Sequence, residues 1–185
     1  PSDPYGLSKW HAECVLRQAF SEDEMSVVIL RPALVYGPDV KGNLQSFSRG
    51  VRWGLPRPPK RGARSMIAVQ DLVALLCLIA QRPPMGFQLW IACGAHSYST
   101  RDIYDLMRKA SSRGMGVGWL PHSLWWLGAH ALDIVTGQRN GSTYEKLFGT
   151  ELYSNAAVLA GTEWKPRVTL EHVMGNIIAP RDTDS

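Results

Sequence analysis

The chain has 185 residues, 45% of them hydrophobic and 19% charged, with a net charge of +4. That is long enough for one folded domain with a sizeable core, and too apolar for a low-complexity or disordered chain. The longest apolar runs, 72–80 and 124–135, fall short of a bilayer span, so no membrane-crossing segment is expected. Three scattered cysteines, Cys14, Cys77 and Cys93, form no Cys-x-x-Cys pair. They argue against a disulfide scaffold and for a reducing, cytoplasmic setting, and two of them, in apolar helix or strand contexts, read as inert core residues.

In chain order, 4–20 reads as a helix with Asp3 as N-cap and Pro4 at its first position, and Ala12, Val15, Leu16 and Ala19 give it an apolar face. The β-branched run 26–30 predicts a strand buried on both faces, ending in a loop over 32–38. A helix over 43–53 follows, then a proline-rich loop to Arg61. Asp71 reads as the N-cap of a helix over 72–81. A strand is expected over 87–93, and Ser99 or Thr100 caps a helix over 101–111. Residues 114–118 form a glycine loop, 117–120 a short strand, and Pro121 opens a tryptophan-rich helix to about 136 whose expected fate is core packing. The tail reads as a helix over 153–160, a loop over 163–166 and a helix over 169–178.

Tyr5 and Lys9 stand one turn apart on the first helix. A phenol beside an ammonium can exchange a proton with an alcohol, because the cation favours phenolate; the spacing alone is common in ordinary helix faces. Arg57, Lys60, Arg61 and Arg64 form the one tight basic cluster. With no aromatic interleaving or binding-fold signature, nucleic acid is not expected, and a phosphate-bearing small substrate suits the cluster better. His122 and His130 lack metal-ligand spacing and no carboxylate or cysteine set completes a site, so no metal is expected.

Pro4-Tyr5-Gly6-Leu7-Ser8-Lys9 resembles the active-site helix of the extended short-chain dehydrogenase/reductases, the family of nucleotide-sugar epimerases and dehydratases. Further matches follow in the family's order. Leu30-Arg31-Pro32-Ala33-Leu34-Val35-Tyr36-Gly37-Pro38 resembles the strand and loop after that helix, and Gly42-Asn43-Leu44 the entry to its substrate loop. The run from Arg64 to Asp71 resembles Arg-Asp-Trp-Ile-Tyr-Val-Asp-Asp, with Ala68 in place of the aromatic residue and Gln70 in place of the first acid. Glu163-Trp164-Lys165-Pro166 resembles a late Gly-Trp-x-Pro.

The resemblance implies an α/β fold, the C-terminal part of a Rossmann-type parallel sheet plus a small α/β substrate-binding lobe. Residues 1–42 would end the dinucleotide-binding domain and 43–185 would be mainly the substrate lobe. It also implies NAD as cofactor, with NADP left open. Tyr5 and Lys9 would be the catalytic pair and would contact the nicotinamide side with Pro32 and Val35, while Asn43, Leu44 and Arg64 would hold the nucleotide sugar. The implied reaction is epimerisation, at C4 of a UDP-hexose or UDP-hexosamine, through a transient 4-keto sugar. A 4,6-dehydratase and a 4-keto reductase share these residues, and a non-catalytic sugar-nucleotide-binding module is the reading if the chain is naturally this short. The glycine-rich strand, turn and helix that hold the cofactor pyrophosphate in the family are not in this sequence. The expectation is therefore a C-terminal half, inactive alone, which in the family dimerises through the helix of Tyr5 and Lys9.

Overall fold

The structure, a computed structural model, describes residues 4–20, 25–38, 43–118, 120–137 and 141–178. The frame is parallel. Strand β1 (Val27–Pro32) pairs with β4 (Phe87–Ala92) in the register Val27 to Phe87 through Pro32 to Ala92. One residue on, the chain enters β2 (Leu34–Tyr36), which pairs in parallel with β3 (Arg64–Ala68), and β3 pairs antiparallel with β5 (Ser97–Tyr98). The expected loop over 32–38 is thus corrected: most of it is strand, because Ala33 N–H still bonds Ala92 C=O at 2.9 Å before Leu34 takes up its new neighbour. The two sheets touch where Gly94 N–H donates to Met66 C=O at 2.7 Å. A Cβ on Gly94 would lie 2.8 Å from that same oxygen, so only glycine permits the approach.

Strand β3 is where the two cores meet. Successive strand side chains point to opposite faces, so Met66 and Ala68 enter one core and Ile67 the other. The first core joins Tyr36, Val51, Ile103, Tyr104, Met107, Leu170, Val173 and Met174, from β2 and the helices α2 (Asn43–Arg52), α4 (Thr100–Ala110) and α8 (Leu170–Ile178). The second sets Ile67 with Leu75 of α3 (Val69–Gln81), Trp90 and Ala92 of β4, Val158 of α7 (Ala156–Gly161) and Trp164. Covered on both sides, β3 is apolar through its last three residues, Met66 to Ala68, unlike an alternating surface strand.

Local signals account for several elements. Ser99 caps α4, and its hydroxyl and N–H exchange bonds with Asp102 in a full capping box. Helix α5 (His122–Thr136) ends on Gly137 in the left-handed conformation, at φ 64°. Asp71, read as an N-cap, is not one. Helix α3 begins at Val69, and the Asp71 carboxylate, buried in its first turn, accepts from the N–H groups of Arg167 and Val168 at 3.0 and 2.9 Å. Its own carbonyl accepts from the Trp164 indole at 3.0 Å. The late Trp-x-Pro stretch is tied to α3 by those three bonds.

Other expectations also shift. Residues 117, 118 and 120 are not strand, and Trp119 lies outside the described residues, as do Asp3 and Gly42. The helix expected over 153–160 is the shorter α7, and α6 (Ser142–Phe148) appears where none was expected. Of the cysteines, Cys93 is buried, with burial pushing its thiol up, Cys14 is half-buried, and Cys77 is exposed on the outer side of α3. The first helix, α1 (Pro4–Ala19), turns the expected apolar face outward: Ala12, Val15, Leu16 and Ala19 are all exposed. It rests on the sheet through Glu13 and Arg17, and through Phe20 just past its end, instead.

Candidate active site

Helix α1 is held against β1 and β4 at two heights. Near its C-terminus the Phe20 ring meets Phe87 edge-on at 5.6 Å, and Arg17 stacks over the same ring at 4.9 Å. Midway, Glu13 forms a two-pronged ion pair with Arg31 at the far end of β1, with Arg31 Nε to Glu13 Oε1 at 2.9 Å. That hydrogen bond, reinforced by the charge, holds the Glu13 carboxyl below its ordinary range. Since Phe20 lies at the start of the strand pair and Glu13 at its end, α1 runs antiparallel to β1. Tyr5, eight residues before Glu13, therefore projects about 12 Å further, past the carboxyl ends of the strands, at the usual helical rise. That is where open α/β sheets bind ligands.

At this end Lys9 places its ammonium 5.5 Å from the centre of the Tyr5 ring. The predicted pair is thus brought together, on a face where Tyr5 is 71% exposed. Pro32, exposed, is the last residue of β1. Val35 is half-buried, and its side chain packs into the second core beside Ile67.

Arg64 opens β3 and lies in a cleft of the lobe with Leu34, Leu44, Phe47, Tyr98 and Lys146. Its Nη2 donates to the Glu145 carbonyl of α6 at 2.8 Å and stands 3.9 Å from the Glu151 carboxylate, while its Nε is buried without a partner. A buried guanidinium N–H facing no acceptor has bonding capacity left over for an anion. Leu44 lines the same cleft; Asn43 starts α2, and its side chain lies outside the described residues. Arg57, read with Arg64 as one phosphate-binding cluster, is instead engaged by Asp105 in a two-pronged pair at 2.8 and 2.5 Å.

The cleft includes residues that the sequence reading missed. Lys146 and Leu147 come from α6, a seven-residue helix without a side-chain cap. Tyr98 comes from the two-residue β5 and accepts from Leu170 N–H at 3.2 Å. Elements so short carry no periodicity to read, though the basic Lys146 beside an aromatic-rich run was visible. Tyr36, in the resemblance's Tyr-Gly pair, is buried with its phenol pushed far up by burial, and donates to Val168 C=O at 2.8 Å. Its role is structural. Among the described residues no group of histidines, cysteines and carboxylates is placed to hold a metal ion.

The residues present fit one end of a dinucleotide. An exposed phenol and ammonium at the carboxyl ends of parallel strands offer a hydroxyl and a cation to a ribose and its ring.

The family model of the Male sterility protein matches residues 1–73. A UDP-glucose 4-epimerase of Vibrio cholerae is 37% identical over 177 residues, which are 92% of this chain and 51% of that protein. An N-acetyl-alpha-D-glucosaminyl-diphospho-ditrans,octacis-undecaprenol 4-epimerase of Escherichia coli O157:H7 is 25% identical over 149 residues, 75% of this chain and 45% of that protein. The crystal structure of a UDP-glucose 4-epimerase from Bifidobacterium longum, in complex with NAD+ and UDP, superposes on 95% of this chain and 53% of its own, with TM-score 0.66 and 20% identity. The chain thus spans about half the length of the curated relatives it matches. With its motifs in family order on a parallel sheet, the chain is similar over nearly its whole length to a nucleotide-sugar 4-epimerase and shares the fold of the extended short-chain dehydrogenase/reductases.

Proposed function

We propose that the protein takes part in NAD-dependent epimerisation of a nucleotide sugar, at C4 of a UDP-hexose or UDP-hexosamine. The observation that carries this reading is the Lys9 ammonium over the Tyr5 ring at the carboxyl ends of β1 and β4. The Vibrio cholerae relative's name supports the substrate class. NAD, when bound, supplies the chemistry of hydride acceptance and return at the sugar carbon. Tyr5 takes the proton of the C4 hydroxyl through its phenolic oxygen and gives it back when the opposite epimer forms. Lys9 stabilises the phenolate by charge and donates to the nicotinamide ribose. Pro32 and Val35 put the backbone of the sheet-switching stretch against the nicotinamide, and Arg64, with Asn43 and Leu44, holds the diphosphate end. The free cysteines suit a cytoplasmic enzyme, and the uncovered Trp10, Val15 and Leu16 of α1 suit a homodimer formed through that helix.

The test, on the whole natural protein, is interconversion of UDP-glucose and UDP-galactose, or their N-acetyl forms, followed by proton NMR. Tyr5→Phe should lower turnover at least a thousandfold while UDP still binds. Retained turnover would remove Tyr5 from proton transfer; loss of a water from the sugar instead of inversion would assign a dehydratase.

A further inference from the structure

Helix α5 is built inside out. Its inner seam toward α6 is Trp125, Ala129 and Asp133, the last fully buried and accepting from Thr143 N–H at 3.0 Å. Its outer surface is almost wholly apolar: Leu124, Trp126, Leu127, Leu132, Ile134 and Val135 are exposed, Ile134 at 72% and Val135 at 83%, with Gly128 and Ala131 between them. None of its exposed residues carries a Lys, Arg, Asp or Glu side chain. A globular helix normally does the reverse. The exposed apolar residues of α1 lie beside the β1–β4 sheet, whereas α5 rests chiefly on α6, away from both cores.

The chain that adjoins this helix is basic. From 40 to 70 the chain carries seven Lys and Arg residues and no acid, and from 106 to 132 three more and again no acid. The structure joins the two stretches: Arg113 donates to Arg52 C=O at 2.9 Å, and Arg57 N–H bonds Val117 C=O at 2.9 Å just before α5. The proline-rich loop then reaches α6, where Gly62 fits against the carbonyls of Phe148 and Gly149, and the Phe148 ring packs on Trp125 at 5.9 Å. Arg49, Arg52, Lys60, Arg61 and Arg113 are exposed along this path, as are Trp53, at 88%, and Met115.

We infer that α5 lies in the headgroup region of an anionic bilayer and, with the basic loop beside it, holds the protein at a membrane surface. No described helix is long and apolar enough to cross a membrane, which leaves a helix lying in the interface plane. Apolar side chains and a tryptophan enter the acyl boundary, and the flanking cations meet lipid phosphates, each cation adding to an attraction that salt screens. A protein partner with this complementarity would need an apolar, acid-rimmed groove; the charge-free face beside a loop with an excess of cations, of which, among the described residues, only Arg57 and Arg64 have carboxylates nearby, matches the layered chemistry of a bilayer without further features. The inference does not depend on the reaction proposed above.

The probe is vesicles of phosphatidylcholine alone or with 30% phosphatidylglycerol, in a flotation assay with purified protein at low and high salt. Binding to the anionic vesicles should exceed binding to the neutral ones at least tenfold and fall in high salt. Leu127→Glu with Val135→Glu should abolish it, and Lys60→Glu with Arg61→Glu should reduce it about tenfold. These positions are exposed, so unchanged circular dichroism and thermal midpoint should accompany the loss. No binding to anionic vesicles at low salt, or binding indifferent to the α5 substitutions, overturns the proposal. So does a dimer in solution that the same α5 substitutions dissociate, which would assign the face to a second copy.

Discussion

Replacing Asp71 tests how the C-terminal segment is attached. Its carboxylate accepts two backbone N–H bonds, from Arg167 and Val168, inside a site where Asp71 is only 5% exposed. Bonds to a charged acceptor contribute about 1.5 kcal/mol or more each, so Asp71→Ala should cost about 3 kcal/mol. In a domain of this size that lowers the thermal midpoint by roughly 6–12 °C. Asp71→Asn keeps an acceptor but loses the charge, which about halves each bond, for a cost of about 1.5 kcal/mol. Urea unfolding followed by tryptophan fluorescence measures both, since the Trp164 indole is bonded to the Asp71 carbonyl. A helix cap behaves differently: asparagine caps as well as aspartate, and alanine costs about 1 kcal/mol. An Asn variant as stable as the parent, with an Ala variant down by only about 1 kcal/mol, would refute the clip and restore the cap.

Gly62, at φ 65° with the Phe148 carbonyl 2.4 Å from where a Cβ would sit, should not tolerate alanine; Gly62→Ala should lower stability by about 3 kcal/mol or more in the same urea assay. Glu13 ionises more readily in the folded state because Arg31 bonds it, so its contribution is present above the unfolded carboxyl range, near pH 4.3, and is lost as pH falls through the lower folded value. Glu13→Gln should therefore flatten the stability curve as pH falls below about 5, by less than about 1 kcal/mol because Arg31 is half exposed. Iodoacetamide at pH 8 should label exposed Cys77 well before Cys93, whose thiol burial holds protonated, and mass spectrometry of tryptic peptides would show the order. Arg64→Lys should raise the apparent Kd for UDP about tenfold or more, read by calorimetry, because an ammonium cannot reproduce a guanidinium's fork.

The parts of the fold written in local chemistry were legible before any coordinates. The Ser99 to Asp102 capping box announces α4, and the β-branched run around Val28 announces a strand of a parallel pair, although that strand is only half-buried and its last two residues are exposed, so the expected burial on both faces does not hold. The Tyr5 and Lys9 spacing places both groups on one turn, and the structure keeps them there. What stayed hidden depends on partners distant in sequence. Asp71 sits just ahead of a leucine-rich helical run and looks like any cap; its real partners are nearly a hundred residues away. Leu34 to Tyr36 reads as loop because three residues have no visible period, and they become strand only through Met66 to Ala68. Val15 and Leu16 follow the rule for a core face yet point outward, since nothing among the described residues covers them.

Ala33 gives the two candidate half-sites their spacing. It is the single residue between β1, whose end is braced to the helix of Tyr5 and Lys9, and β2, which runs beside the strand that begins with Arg64. It is buried, and its N–H is spent on Ala92. A joint that short and that fully bonded transmits displacement instead of absorbing it, so proton-transfer end and anion-holding end move as one body. On the function proposed above, substrates of different length would be accommodated by the parts that line the cleft without belonging to the sheets, above all α6. Variation in sugar or nucleotide preference should accumulate there and leave the geometry around Tyr5 untouched.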